Sequence, residues 1–161
     1  MKATLVSLVS LALLGAAGCA RAPEVQSDMP VNTVRAKGLE VTVQVPQRYY
    51  HRDETVKVVV TAVNTTGKPI SLHSPTGAPV LVRIIRYSLL SPEQVHVYPR
   101  TTTSNILSWT LPAGQSRAWT LMVPVEPDWP VEEVLYLSAE LNGYSQIAPS
   151  VAILVKAPKK D

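Results

Sequence analysis

From Gly38 onward the chain alternates apolar and polar residues with a period of two. Leu39, Val41, Val43 and Val45 are separated by Glu40, Thr42 and Gln44, and Pro46 ends the run. Successive side chains of a strand point to opposite faces, so this pattern predicts a half-buried strand. The same period recurs over residues 55–63, with Val56, Val58, Val60 and Ala62 on one face, and briefly over 70–72. Residues 80–87 are apolar on both faces, as in a central strand. Further strands are predicted over 94–98, 106–111, 117–123, 134–141 and 151–155. Turn chemistry falls between them: Asn64-Thr65-Thr66-Gly67-Lys68-Pro69, the proline-rich 74–79, Ser91-Pro92-Glu93, and Asn142-Gly143, a hairpin signal.

No segment has a convincing helical period, and 14 prolines against seven glycines suit short strands joined by stiff turns. Sequential strands without crossover helices pair antiparallel. The predicted fold is therefore all-β: an immunoglobulin-like antiparallel β-sandwich of about eight or nine strands, with an eight-stranded barrel as the rival. With 46% hydrophobic and 17% charged residues, the composition is that of a folded domain. A single cysteine excludes an internal disulfide, so packing alone must hold the core. Trp109, Trp119, Leu121 and Leu137 are predicted at its centre.

The N-terminal segment has a different pattern. Lys2 precedes an uninterrupted run of apolar and small residues, 3–18, which is short for a membrane span and shaped like a secretory leader. The run ends in Ala16-Ala17-Gly18-Cys19, which resembles the bacterial lipobox. In that motif the cysteine thiol is acylated and the leader is cut off before it. An unpaired thiol in an exported chain needs a reason, and lipidation at Cys19 supplies one. Multiple acyl chains, which the resemblance implies, anchor stably where one does not. Ala20 follows instead of a retention aspartate, so the expectation is an envelope protein held on the outer membrane. Residues 1–18 are then the leader, 19–37 the lipidated start and a polar, proline-punctuated tether, 38–156 the sandwich and 157–161 a basic tail.

Residues 58–72, a strand leading through an asparagine turn into Ile70-Ser71-Leu72, are similar to the opening of the BsuPI-type intracellular proteinase inhibitor family. Leu111-Pro112-Ala113-Gly114-Gln115 resembles its Leu-Pro-x-Gly turn, and residues 135–141 its last alternating strand. The resemblance implies an immunoglobulin-like fold and, as an alternative function, proteinase inhibition. The candidate inhibitory loop is Ser74, Pro75, Thr76, Gly77, Ala78 and Pro79.

Charge and motifs narrow the chemistry. The net charge of +3 is scattered, without the basic stripe that tracks a phosphate backbone, so no nucleic-acid partner is expected. No phosphate-binding glycine loop, serine elbow or zinc motif is present, and neither catalysis, a cofactor nor a metal is predicted. His51-Arg52-Asp53-Glu54 reads as a solvated turn. Arg83, Tyr87, His96 and Tyr98, with Arg100 beyond, are candidates for an outward protein-binding surface, because aromatics and arginines dominate binding hot spots. The expected function is a lipid-anchored, non-catalytic envelope protein that binds another protein.

Overall fold

A computed structural model describes residues 29–87 and 91–157. The leader, Cys19 and most of the tether lie outside the described residues, as does the tail beyond Ala157. Every regular element among the described residues is a strand. They form two facing sheets and a two-stranded ribbon, so the fold is a β-sandwich, not a closed barrel.

The first sheet carries β1 (Val31–Ala36), β2 (Leu39–Gln44), β4 (Thr55–Asn64) and β9 (Ser116–Pro124), in the order β1-β2-β4-β9. The second has the order β3-β11-β10-β6-β7. Its members are β3 (Tyr49–Tyr50), β6 (Val80–Tyr87), β7 (Pro92–Tyr98), β10 (Val134–Leu141) and β11 (Ser150–Val155). The ribbon pairs β5 (Ile70–Ser74) with β8 (Leu107–Leu111). All nine predicted strands are present; β1 and β3 are additional. All pairings are antiparallel except β3 on β11, which is parallel.

The period-two reading holds residue by residue. Leu39, Val41 and Val43 are buried on β2, and Val56, Val58, Val60 and Ala62 on β4, facing Leu135, Leu137, Ile84 and Ile153 of the other sheet in one core.

Three expectations are corrected. The tether does not run to residue 37: residues 31–36 pair with β2 as an edge strand. Their outward side chains are polar or exposed, which hides the alternation, and only Val34 and Ala36 reach the core. Lys37 and Gly38 both take positive φ (51° and 77°), the two-residue turn whose twist matches a hairpin. A Cβ on Gly38 would lie 2.3 Å from the Thr66 methyl, so the position excludes any side chain. Next, Asn142-Gly143 does not close a tight hairpin. β10 continues to Leu141 along β6, and residues 142–149 make the return to β11.

Finally, of the four predicted core residues only Leu137 is fully buried; Trp109, Trp119 and Leu121 are half-buried. The tryptophan at the centre is Trp129, 1% exposed, carried by the loop 125–133 and devoid of any strand period.

The ribbon is an extension of the first sheet bent at a corner. β4 leads into β5, and their partners β9 and β8 are likewise consecutive. Asn64 sits at the bend, fully buried. Its amide donates to the carbonyls of Lys68 (2.8 Å) and Leu111 (2.9 Å), and its Oδ1 accepts from Thr66 N (2.9 Å) and Oγ1 (2.7 Å). Three of these four bonds go to backbone groups at the corner and the fourth to the Thr66 hydroxyl, so a single side chain satisfies polar groups where the strand turns away.

Candidate functional site

The five residues predicted to share one outward surface are divided: four lie on two faces of the second sheet, and Arg100 follows β7. Strand alternation sends Arg83 and Tyr87 outward and His96 and Tyr98 into the core, where they are 7% and 4% exposed. A bulge between Ile84 and Ile85 breaks the register along this strand pair. The apolar run of β6 conceals which side of β7 is which, so sequence alone misplaced them.

Arg83 braces the outer face, donating to Gln94 Oε1 (2.6 Å) and Glu140 Oε1 (2.8 Å). Tyr87 stacks edge-on against Tyr136 at 4.9 Å. His96 stacks on the Trp129 ring at 6.0 Å, inclined by 26°, and pairs through Nε2 with Asp128 (3.1 Å). Tyr98 donates to Glu126 Oε1 (3.1 Å); burial and that carboxylate push its phenol up to about 12, so it remains a donor at neutral pH. Arg100 lies over the Tyr98 ring at 5.0 Å and also binds Glu126 at 3.1 Å. These contacts fasten the loop 125–133 to the sheet.

The loop of Ser74 to Pro79 does not project. Ser74 and Ala78 are buried. Asn142 holds the loop from inside, its amide donating to Thr76 Oγ1 (2.7 Å) and Ala78 O (2.9 Å), while its own N–H donates to Pro79 O (3.0 Å). Gly77 N donates to Thr103 O at 3.2 Å, tying the loop to the segment after β7. His51-Arg52-Asp53-Glu54 is a turn, closed by Glu54 accepting from His51 N at 3.0 Å. His73 meets Ser108 across the ribbon at 2.9 Å. Among the described residues no three His, Cys, Asp or Glu side chains stand close enough to hold a metal ion.

The surface that the structure does assemble is a groove along β9. It has a volume of about 350 Å³ and lies between Gly77–Val80, the residues Pro99 and Thr101–Thr103, and Trp119, Thr120 and Leu121. Side chains from both faces of β9 line it, so it follows the strand's edge. That edge is free, because β9 ends its sheet.

At one end, Trp119 meets Trp109 edge-on at 5.2 Å, and the Arg117 guanidinium lies 5.2 Å and 5.5 Å over the two rings. Among the described residues Arg117 makes no ion pair with a carboxylate, unlike Arg35, Arg83, Arg86 and Arg100. Trp119 was read as core because it follows the strand period. Arg117 on the same face as Trp119 and Leu121 was the available sign that this stretch opens to solvent.

No family model and no curated protein matches the chain. Over 74% of its length the fold is similar to part of a β-glucosidase from Listeria innocua, solved in complex with glucose (13% identity, TM-score 0.45, 16% of that chain). Over 76% it is similar to Spo0M, a sporulation control protein from Bacillus subtilis (16% identity, TM-score 0.48, 51% of that chain). The chain spans less than two thirds of either structure.

Proposed function

We propose that the protein is a lipid-anchored, non-catalytic component of the bacterial cell envelope whose β-sandwich binds a protein partner.

 
The observation that carries the binding role is the groove beside the free edge of β9, where half-buried Trp119 and Leu121 lie open to an occupant. Large aromatics flanked by arginine are the side chains that dominate protein interfaces. The anchor rests on Ala16-Ala17-Gly18-Cys19 behind an apolar leader. Proteinase inhibition of the BsuPI type is the alternative. It draws no support from the loop of Ser74 to Pro79, whose Thr76 and Ala78 are held by Asn142 instead of being offered to a protease cleft.

Each half has its own test. Cys19→Ala is expected to move the protein from the membrane to the soluble fraction and to block leader processing. A variant that still matures and sediments with membranes removes the anchor. For the binding role, a photo-crosslinking residue replaces Thr102 on the groove wall, and another replaces Thr33 on exposed β1 as a control. A discrete adduct from Thr102 alone, lost when Trp119→Ala is added, is the expected result. Identical adducts from both positions, or none, count against the groove as the partner site.

A further inference from the structure

We infer that the groove takes an extended peptide segment of the partner, which adds as a fifth strand to β9 and places a carboxylate against Arg117. This deepens the partner-binding role proposed above and rests on it. Three observations fix the occupant's chemistry. The outer edge of β9 has no strand beside it among the described residues, so its outward N–H and C=O groups form a template for another strand. Proteins usually blunt such an edge, yet here a groove runs along it, walled by apolar and small residues and by the threonines 101–103.

Charge supplies the rest. No residue lining the groove is ionisable, and the charge standing on the same strand face as Trp119 is Arg117, two residues away. In a strand, residues two apart share a face, so a partner strand in register with β9 sets one side chain against Trp119 and Leu121 and its neighbour two positions along against Arg117. The apolar position fills the groove, and the second must be an acid to pair with a guanidinium that has no carboxylate partner among the described residues. Trp109 and Trp119 hold the guanidinium over their rings, so it is already placed for that contact.

The test uses the purified full chain carrying Cys19→Ala and a set of soluble eight-residue peptides with alternating valine and threonine. Members of the set carry glutamate, glutamine or lysine at the position two residues from a central valine. Binding is followed by tryptophan fluorescence and by amide exchange along β9. The glutamate peptide is expected to bind about ten-fold more tightly than the glutamine peptide, the size expected for one charge-assisted hydrogen bond. Arg117→Gln should erase that difference, and N-methylation of the peptide backbone should abolish binding and protection of β9 amides.

Binding that ignores the acid, Arg117→Gln or N-methylation overturns the proposal. A concentration-dependent dimer that Thr120→Pro dissolves also overturns it, in favour of a second copy on the edge. If no peptide binds while Thr102 still gives its specific adduct, strand addition fails and the partner-binding role survives. If neither is seen, both fail.

Discussion

Trp129→Ala lowers the unfolding free energy of the domain by about 3–5 kcal/mol, the cost of removing a large aromatic from a core that cannot collapse around the void. Trp129 is 1% exposed and lies against His96 at 6.0 Å and Tyr98 at 6.5 Å. Its Nε1 has no hydrogen-bond partner among the described residues, so the loss is one of packing. The loop that carries it is fastened by Glu126 and Asp128, whose partners Tyr98 and His96 pack against the Trp129 ring. Urea denaturation followed by far-ultraviolet circular dichroism measures the effect. Trp119→Ala provides the contrast: its side chain is half-buried at the groove, and it should cost less than half as much. A larger loss for Trp119 than for Trp129 would reverse the assignment of core and surface.

Asn64→Ala is expected to cost about 3 kcal/mol and to act first on the ribbon. The substitution strands the Leu111 carbonyl, which is buried beside it, and removes the acceptor of Thr66 N. An unsatisfied buried polar group costs about 1–3 kcal/mol, and more than one group is affected. Asn64→Asp should not rescue, because a carboxylate turns an acceptor toward the carbonyls of Lys68 and Leu111 where the amide donates. Hydrogen exchange should show β5 and β8 amides opening more readily than those of β4 and β9. A loss below about 1 kcal/mol, or uniform exchange, would mean that the corner is held by something else.

The strands of this protein were legible because one face of each is buried, and burial writes itself as alternation. Where both faces or neither is apolar, the pattern loses its meaning. β1 was missed since its buried positions are only Val34 and Ala36, and β3 since two residues have no period. Asn64 was noticed as a turn residue, yet its role is that of a buried bracket, which depends on Leu111 arriving from 47 residues away. The candidate surface failed for a related reason. Placing His96 and Tyr98 requires knowing which face of β7 meets the core, and a bulge sits in that ladder. The groove could not be read at all, because it is formed by residues 77–80, 99, 101–103 and 119–121, which only the fold brings together.

The pairing of β4 with β9 has a further consequence, in time instead of space. Val56 lies opposite Val123 and Val63 opposite Ser116, so the central ladder of the first sheet joins segments more than 50 residues apart. β6 and β10 are similarly distant, with Val82 opposite Ala139. Long loops must close before these contacts reward the chain, which places folding on the order of milliseconds to seconds. A nascent chain synthesised from its N-terminus holds β1, β2 and β4 without the partner that completes their sheet until Pro124 has emerged. It lacks the last strand of the second sheet until Val155 has followed. Until both strands have been made the sandwich cannot close, and the growing chain remains an unfolded thread, the form that the export proposed above would need.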